Sequence, residues 1–366
     1  MLWTVMNKKI KIIAGIGLAV IMVMGLGACS GKGKDGAAEQ DTSVDINVAA
    51  MSGPTGMGMA FLNEWSASGQ SAYRYNITYA GSPDEITGGI ISGEIQIAAL
   101  PVNLASVLFN KTEGEVQIAA VNTLGVLYIV EKDTAGTGEN SVSGDKSGLT
   151  DNGESSASGE CAGSVNSLQD LEGRTIVASG KGSTPEYIFS YLLKCNGLDG
   201  KVNVEYVEEH DEAITALATG KTDLIMIPEP KVTAALMQVE GARIAVDLTK
   251  EWYKVDEDDL VQGVIVIRKD FAEEHPEIAE TFLAEYEASV ESVNADPETA
   301  AQLIEKYVIL PKAQVALKAL PHCNIVCITG DEMKESVTDM LETLFDANPA
   351  SIGGKLPGEE IFFEGK

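Results

Sequence analysis

Residues 84–101 read DEITGGIISGEIQIAALP, and residues 211–228 read DEAITALATGKTDLIMIP. Asp84-Glu85-Ile86 answers to Asp211-Glu212-Ala213, Ile90-Ile91-Ser92-Gly93 to Leu217-Ala218-Thr219-Gly220, and Pro101 to Pro228, each 127 positions on. A hydrophobic strand lies between the glycine and the proline in each copy. Upstream the plan repeats more loosely. Asp45–Ala50 is a β run, Met51–Gly58 a glycine-rich turn, and Met59–Trp65 the start of an apolar helix face. Arg174–Ala178, Ser179–Pro185 and Tyr187–Leu193 follow the same order. Chance likeness between two β-α-β units is the alternative, but a constant offset at three anchors favours a shared plan. Two such copies predict an α/β protein of two lobes, each with a mostly parallel sheet and flanking helices.

The composition agrees with a body of that size. A chain of 366 residues, 45% hydrophobic and 22% charged, can pack two domains or one two-lobed unit. That excludes disorder throughout and a polytopic membrane protein. Lys and Arg number 26 against 55 Asp and Glu, a net charge of −29. Such an excess repels phosphate backbones, so nucleic acid is not an expected partner. Five Cys are too few for a disulfide scaffold.

Lys8, Lys9 and Lys11 precede an apolar or glycine run from Ile12 to Ala28, the layout of an export signal. The run ends Leu26-Gly27-Ala28-Cys29, which resembles a bacterial lipobox, in which the Cys becomes the lipidated first residue. Residues 1–28 are therefore expected to be a lipoprotein signal, with Cys29 carrying the lipid, palmitate included. A plain membrane anchor is the other reading. Residues 29–44, mostly Gly, Lys, Asp and Ala, should form a flexible tether. Gly31–Gly36 spells G-x-G-x-x-G without a strand before it or a helix after it, so it carries no dinucleotide meaning.

Residues 131–166, full of Gly, Ser, Asp and Glu, read as a disordered insertion. Beyond the second copy, Gly263–Arg268 is a β run and Pro276–Val293 a helix whose apolar residues recur at helical spacing. Asp296-Pro297-Glu298 has the sequence of a capped helix start. Asp331–Phe345 should form the last helix.

Catalytic signals are weak. His210, His275 and His322 are scattered, and no G-x-S-x-G occurs. Ser179–Thr184 resembles part of a phosphate loop, but Thr175 and Gly182 occupy positions that need Gly and Ser or Thr. His322, Cys323 and Cys327 permit a metal; a strand over Asn324–Ile328 with buried thiols is the ordinary account, and neither metal nor cofactor is expected. Cys323 and Cys327 are too far apart along a strand to bridge each other; Cys161 with Cys195 stays open.

Binding signals are stronger. Ser52-Gly53-Pro54-Thr55-Gly56 and Lys181-Gly182-Ser183-Thr184 each join a strand to a helix, where free N–H groups favour carboxylate, sulfonate, phosphate or carbonyl oxygens. The hydroxyls could instead cap their own helices. Strand ends of open α/β sheets face a ligand crevice, which adds Asn103 after Pro101 and Glu229 after Pro228. Ser82 and Asn122 complete the candidate set.

The lipobox, the paired lobes, Gly220-Lys221-Thr222-Asp223 leading to Pro228-Glu229-Pro230, and Ser351-Ile352-Gly353-Gly354-Lys355-Leu356-Pro357 together resemble bacterial ABC-importer solute-binding lipoproteins. The likeness is to the nitrate, sulfonate and thiamine-precursor type, and covers residues 45–366 apart from the insertion. It implies a type II periplasmic-binding fold with two crossover strands, near Leu127–Val130 and Val261–Val266. One lobe would be residues 45–127 with 263–366, the other 128–262. It further implies a monomer, lipid-anchored on the outer face of the cell membrane, that delivers a small polar solute to permease transmembrane subunits. Relatives often carry an aromatic before the Glu-Pro; here it is Pro228, which weighs against an aromatic-stacked ligand. An enzyme on the same fold (a dehydratase or a thiamine-pyrimidine synthase) and a surface adhesin are the alternatives.

Overall fold

A computed structural model describes residues 40–132, 164–256 and 258–365. β1 (Asp41–Met51) leads through the short α1 (Pro54–Met57) to α2 (Ala60–Ser68) and β2 (Tyr73–Ala80). Next come α3 (Pro83–Ser92), β3 (Ile97–Pro101), α4 (Val102–Lys111) and β4 (Val116–Thr123). The second run is β5 (Leu127–Lys132), β6 (Thr175–Ser179), α5 (Thr184–Cys195), β7 (Asn203–Val207) and α6 (His210–Thr219). It ends with β8 (Leu224–Pro228), α7 (Lys231–Gln238), β9 (Ala242–Asp247) and α8 (Leu248–Val255). The chain then returns through β10 (Gly263–Arg268), α9 (Lys269–Glu274), α10 (Pro276–Ala295) and α11 (Pro297–Lys306). α12 (Ala313–Ala319), β11 (Ile325–Ile328) and α13 (Gly330–Ala347) complete it.

Two sheets result, with strand orders β11-β4-β10-β3-β1-β2 and β7-β6-β8-β5-β9. β1 pairs in parallel with β2 and β3, and β6 with β7 and β8. β10 lies antiparallel between β3 and β4, and β5 antiparallel between β8 and β9. Each sheet is therefore mixed, with most strands running one way and β10 and β11 reversed in the first, β5 in the second. The reason is the crossing itself. A strand that leaves one sheet at its C-terminal edge enters the facing sheet at that sheet's C-terminal edge, so it must run backwards. β5 and β10 are the two crossover strands, and they lie where the crossings were expected.

Local chemistry sets several boundaries. Asp296 accepts the Thr299 N–H at 3.1 Å, and Pro297 opens α11, as its sequence foretold. α2 has no cap of its own. Buried Ser289 on α10 supplies one, accepting the Leu62 N–H at 3.0 Å while donating to Gly58 O at 2.6 Å. The same face of α10 buries Phe282, Tyr286, Val290 and Val293. Tyr75 of β2 meets Phe282 edge-on at 5.4 Å between ring centroids. Truncating Phe282 to Ala would cost about 3–5 kcal/mol.

Two low-complexity boundaries move. β1 begins at Asp41, inside the expected tether, because the Asp41 N–H bonds Ala72 O at 2.8 Å and pairing with β2 needs no apolar side chain. Glu131 and Lys132 belong to β5, and Val165 is fully buried, so the ends of the expected insertion are ordered. The expected signal, Cys29 and the tether to residue 39 lie outside the described residues, as do residues 133–163. Among the described residues no helix is long and apolar enough to cross a membrane.

Candidate functional site

The C-terminal edges of both sheets carry nearly every candidate. Met51 ends β1 before the first glycine turn and Ser179 ends β6 before the second; Pro101 and Pro228 end β3 and β8. Gly53 holds φ +97°, a conformation that L side chains rarely adopt, and a Cβ there would lie 3.9 Å from Pro230 Cδ. The first turn thus faces the residue that follows Glu229 on the other lobe.

The bond that joins the lobes most directly is between two candidates. Thr184 Oγ1 donates to Asn103 Oδ1 at 2.9 Å, and Thr184 is buried. Asn103 is held in turn by its amide nitrogen, which donates to Ser351 O at 3.4 Å. Along the same helix, Ser106 donates to Ile352 O and Asn110 to Ile352 O and Lys355 O. The C-terminal Ser-Ile-Gly-Gly-Lys segment is therefore strapped to the helix that carries Asn103. Across the lobes Asn348 Nδ2 also donates to the Tyr187 hydroxyl at 3.2 Å.

Asn122, fully buried on β4, donates to Thr55 O at 2.9 Å and fixes the first turn. In the second turn Ser183 is the N-cap of α5, yet its hydroxyl donates back to Gly180 O at 2.6 Å and does not cap the helix. Glu186 accepts the Gly182 N–H. Ser52 and Lys181 are exposed, and Ser82 donates to Glu85 at the start of α3. These three are not drawn into the lobe-to-lobe contacts.

Glu229 is 1% exposed. Its two carboxylate oxygens accept the Thr233 N–H and the Thr233 hydroxyl, both at 3.0 Å, and its own N–H donates to Val126 O at 2.8 Å. Burial raises its pKa from the usual 4.5 to about 7, against the lowering pull of the two Thr233 bonds. Among the described residues no Lys, Arg or His forms an ion pair with it. Cys323, 0% exposed, has its thiol raised by burial and then by Glu229. It packs as a small apolar group, and among the described residues no cluster of three metal-ligating side chains occurs. Cys195 is exposed, and its suggested partner Cys161 lies outside the described residues.

Several contacts had no motif to announce them. Ser179 Oγ and His210 Nδ1 are 2.5 Å apart, with Ser179 1% exposed. His210 is held below its ordinary value by burial and then by Lys231. The crossings are pinned by Gln262 Oε1, which accepts the Val126 N–H at 2.6 Å, and by Asn324 Nδ2, which donates to Gly125 O. Gly125 must lack a side chain: a Cβ would stand 2.1 Å from Thr249 Oγ1. The only sequence signal for these was position, next to the expected crossings.

A sequence model described as NMT1/THI5 like matches residues 154–300. No curated protein matches. Among solved structures, an ABC transporter protein from Parabacteroides distasonis is 22% identical with a TM-score of 0.69, covering 88% of this chain and 99% of its own. The periplasmic aliphatic sulphonate binding protein SsuA from Escherichia coli is 18% identical with a TM-score of 0.61, covering 88% and 94%. The periplasmic nitrate-binding protein NrtA from Synechocystis is 11% identical with a TM-score of 0.51, covering 81% and 76%. At these identities the likeness establishes the fold. This chain is a two-lobed α/β protein with the fold of the type II periplasmic binding proteins.

Proposed function

We propose that this chain is the extracytoplasmic solute-binding component of an ABC importer, closing two lobes on a small polar solute and handing it to the permease. The observation that carries the reading is the Thr184–Asn103 bond, made between the facing C-terminal edges of two like-built sheets. A crevice there can enclose a solute only when each lobe contributes polar groups, and each contributes one turn and one post-strand residue. The two lobes would be residues 45–127 with 263–366, and residues 128–262. The solute would carry an acidic or carbonyl end for the turn N–H groups and a donor for Glu229. The binding proteins for sulphonate and nitrate that share the fold support a receptor over an enzyme or an adhesin.

Screening thermal shifts against nitrogen, sulfur and vitamin-precursor solutes tests it. A ligand at 100 times its dissociation constant stabilises by about 2.7 kcal/mol. Saturable one-to-one binding in calorimetry without turnover is the expected result, and turnover of a bound metabolite would overturn it. In the same reading Cys29 is the lipidated mature N-terminus and the protein acts as a monomer tethered to the membrane. Mass spectrometry of the mature chain should find lipid on Cys29, and an unmodified N-terminus elsewhere would refute the anchor.

A further inference from the structure

We propose that closure of the two lobes takes up a proton at Glu229. The inference rests on the lobe closure proposed above and not on the identity of the solute. Glu229 sits where the lobes meet. Pro230 beside it faces Gly53, α7 packs against α12, and the Tyr128 hydroxyl donates to His322 O at 3.3 Å. Closure therefore brings α12 and the His322–Cys323 segment of the other lobe towards the carboxyl, which Tyr128 of its own lobe already flanks.

Among the described residues no cation pairs with that carboxyl, and its charge is met only by the Thr233 N–H and hydroxyl in the first turn of α7. Tyr128 is raised by burial and then by Asp247, Glu229 and Cys323, so it stays a neutral phenol. Cys323 stays a thiol. On α7, Lys231 is turned to Asp211 Oδ1 at 2.7 Å, and Thr233 offers two neutral donors. The turn 52–56 and the crossing 124–126 contain no titratable residue. A carboxylate without a cation in such a place is held only at a desolvation cost, which protonation removes. When the lobes part, water reaches Glu229 and it ionises at its ordinary pH. Open and closed forms thus bind different numbers of protons between roughly pH 4.5 and pH 7, and by linkage acid favours closure.

Cys323 is the reporter of opening, since it is 0% exposed and directly follows His322, whose carbonyl takes the Tyr128 bond across the lobes. The experiment alkylates the full chain with iodoacetamide and follows Cys323 by peptide mass spectrometry at pH 5.5 and 8.5, beside Glu229→Gln. Taking the ratio of the two proteins at each pH cancels the intrinsic reactivity of the thiol except for the influence of the Glu229 charge, which slows labelling of the parent at pH 8.5 and so opposes the expected rise. Hydrogen exchange of the α10 amides around Phe282–Tyr286 is measured in the same samples, because unfolding alone exposes them. The expected result is a parent-to-variant labelling ratio that rises about tenfold or more from pH 5.5 to 8.5, with Cys323 labelled faster than α10 exchanges. A flat ratio overturns the proposal, and so does labelling that merely tracks α10 exchange. Failure here leaves the solute-binding reading standing, since calorimetry tests that separately.

Discussion

Thr184, the first residue of α5 in one lobe, donates its hydroxyl to the side-chain oxygen of Asn103, the second residue of α4 in the other, at 2.9 Å. Neither side chain caps its own helix. Ser351 O holds the Asn103 amide nitrogen, which leaves the amide oxygen aimed at the facing lobe. The bond is thus pre-oriented from one side, and α5 delivers the donor from the other.

Thr184→Val keeps the shape and removes the donor, and Asn103→Ala removes the acceptor. Each is expected to lower stability by about 0.5–1.5 kcal/mol. The double variant should lose less than the sum, because the two groups act on one bond. Urea unfolding of the four proteins measures the coupling; additive losses would show that the two side chains do not share a bond in solution.

Glu229 makes stability depend on pH in a stated direction. Its folded value of about 7 lies above the ordinary 4.5, so its contribution is full below about pH 4.5 and is lost as pH rises through 7. Glu229→Gln should remove that loss, with the stability difference between variant and parent changing by up to roughly 3 kcal/mol between pH 4.5 and pH 8. Chemical denaturation across the range checks it. Parallel pH profiles for the two proteins would refute it.

Asp339 on α13 is raised to about 6 by burial and then by its bond with Asp258 on the return crossing; Glu342 and Asp256 add to it. Its contribution too is present in acid and lost as pH rises through 6. Asp339→Asn should therefore raise the melting temperature at pH 7.5 and leave it nearly unchanged at pH 4. An equal shift at both pH values would mean that packing, not charge, was altered.

The lobes were legible because their signals are local. Acids at a helix start, glycine at its stop and an apolar strand ending in proline leave a fixed spacing, and α3–β3 and α6–β8 fall on it. The crossings were legible in position but not in consequence. Only once β5 and β10 are seen to enter at a C-terminal edge does the antiparallel pairing follow. At the candidate site, Asn103 meets Thr184 and Asn122 meets Thr55 because strand ends gather there, which sequence order can foresee. Lys181 and Ser82 share that neighbourhood and turn elsewhere, since a turn residue's direction is set by φ and ψ that its type does not fix. Gln262, Asn324 and Tyr128 had no motif at all. Their partners lie on distant parts of the chain and appear only in the folded form.

Glu131 closes the base of residues 133–163. It is 5% exposed at the end of β5 and accepts the Val165 N–H at 3.1 Å, so the strand leaving for that segment is bonded to the chain returning from it. Arg243 on β9 completes the clasp through Glu131, the Ser164 hydroxyl and Val165 O at 2.6 Å. Arg174 lies 3.9 Å from Glu131 and is also bonded to Asp223 at 2.7 Å. Arg243→Ala leaves a buried carboxylate with a more distant cation and is expected to cost about 1.5–3 kcal/mol. Glu131→Gln keeps an acceptor for Val165 and should cost less than Glu131→Ala, which strands a buried N–H. Because the clasp joins the two ends directly, replacing residues 134–162 with a short Gly-Ser bridge should leave the melting transition nearly unchanged in the parent. The same deletion should partly rescue Arg243→Ala, since a short bridge holds Val165 near β5 without help from the arginine. Calorimetric melting of the four proteins decides it: a large fall on deletion in the parent would show that the segment itself supports the second lobe.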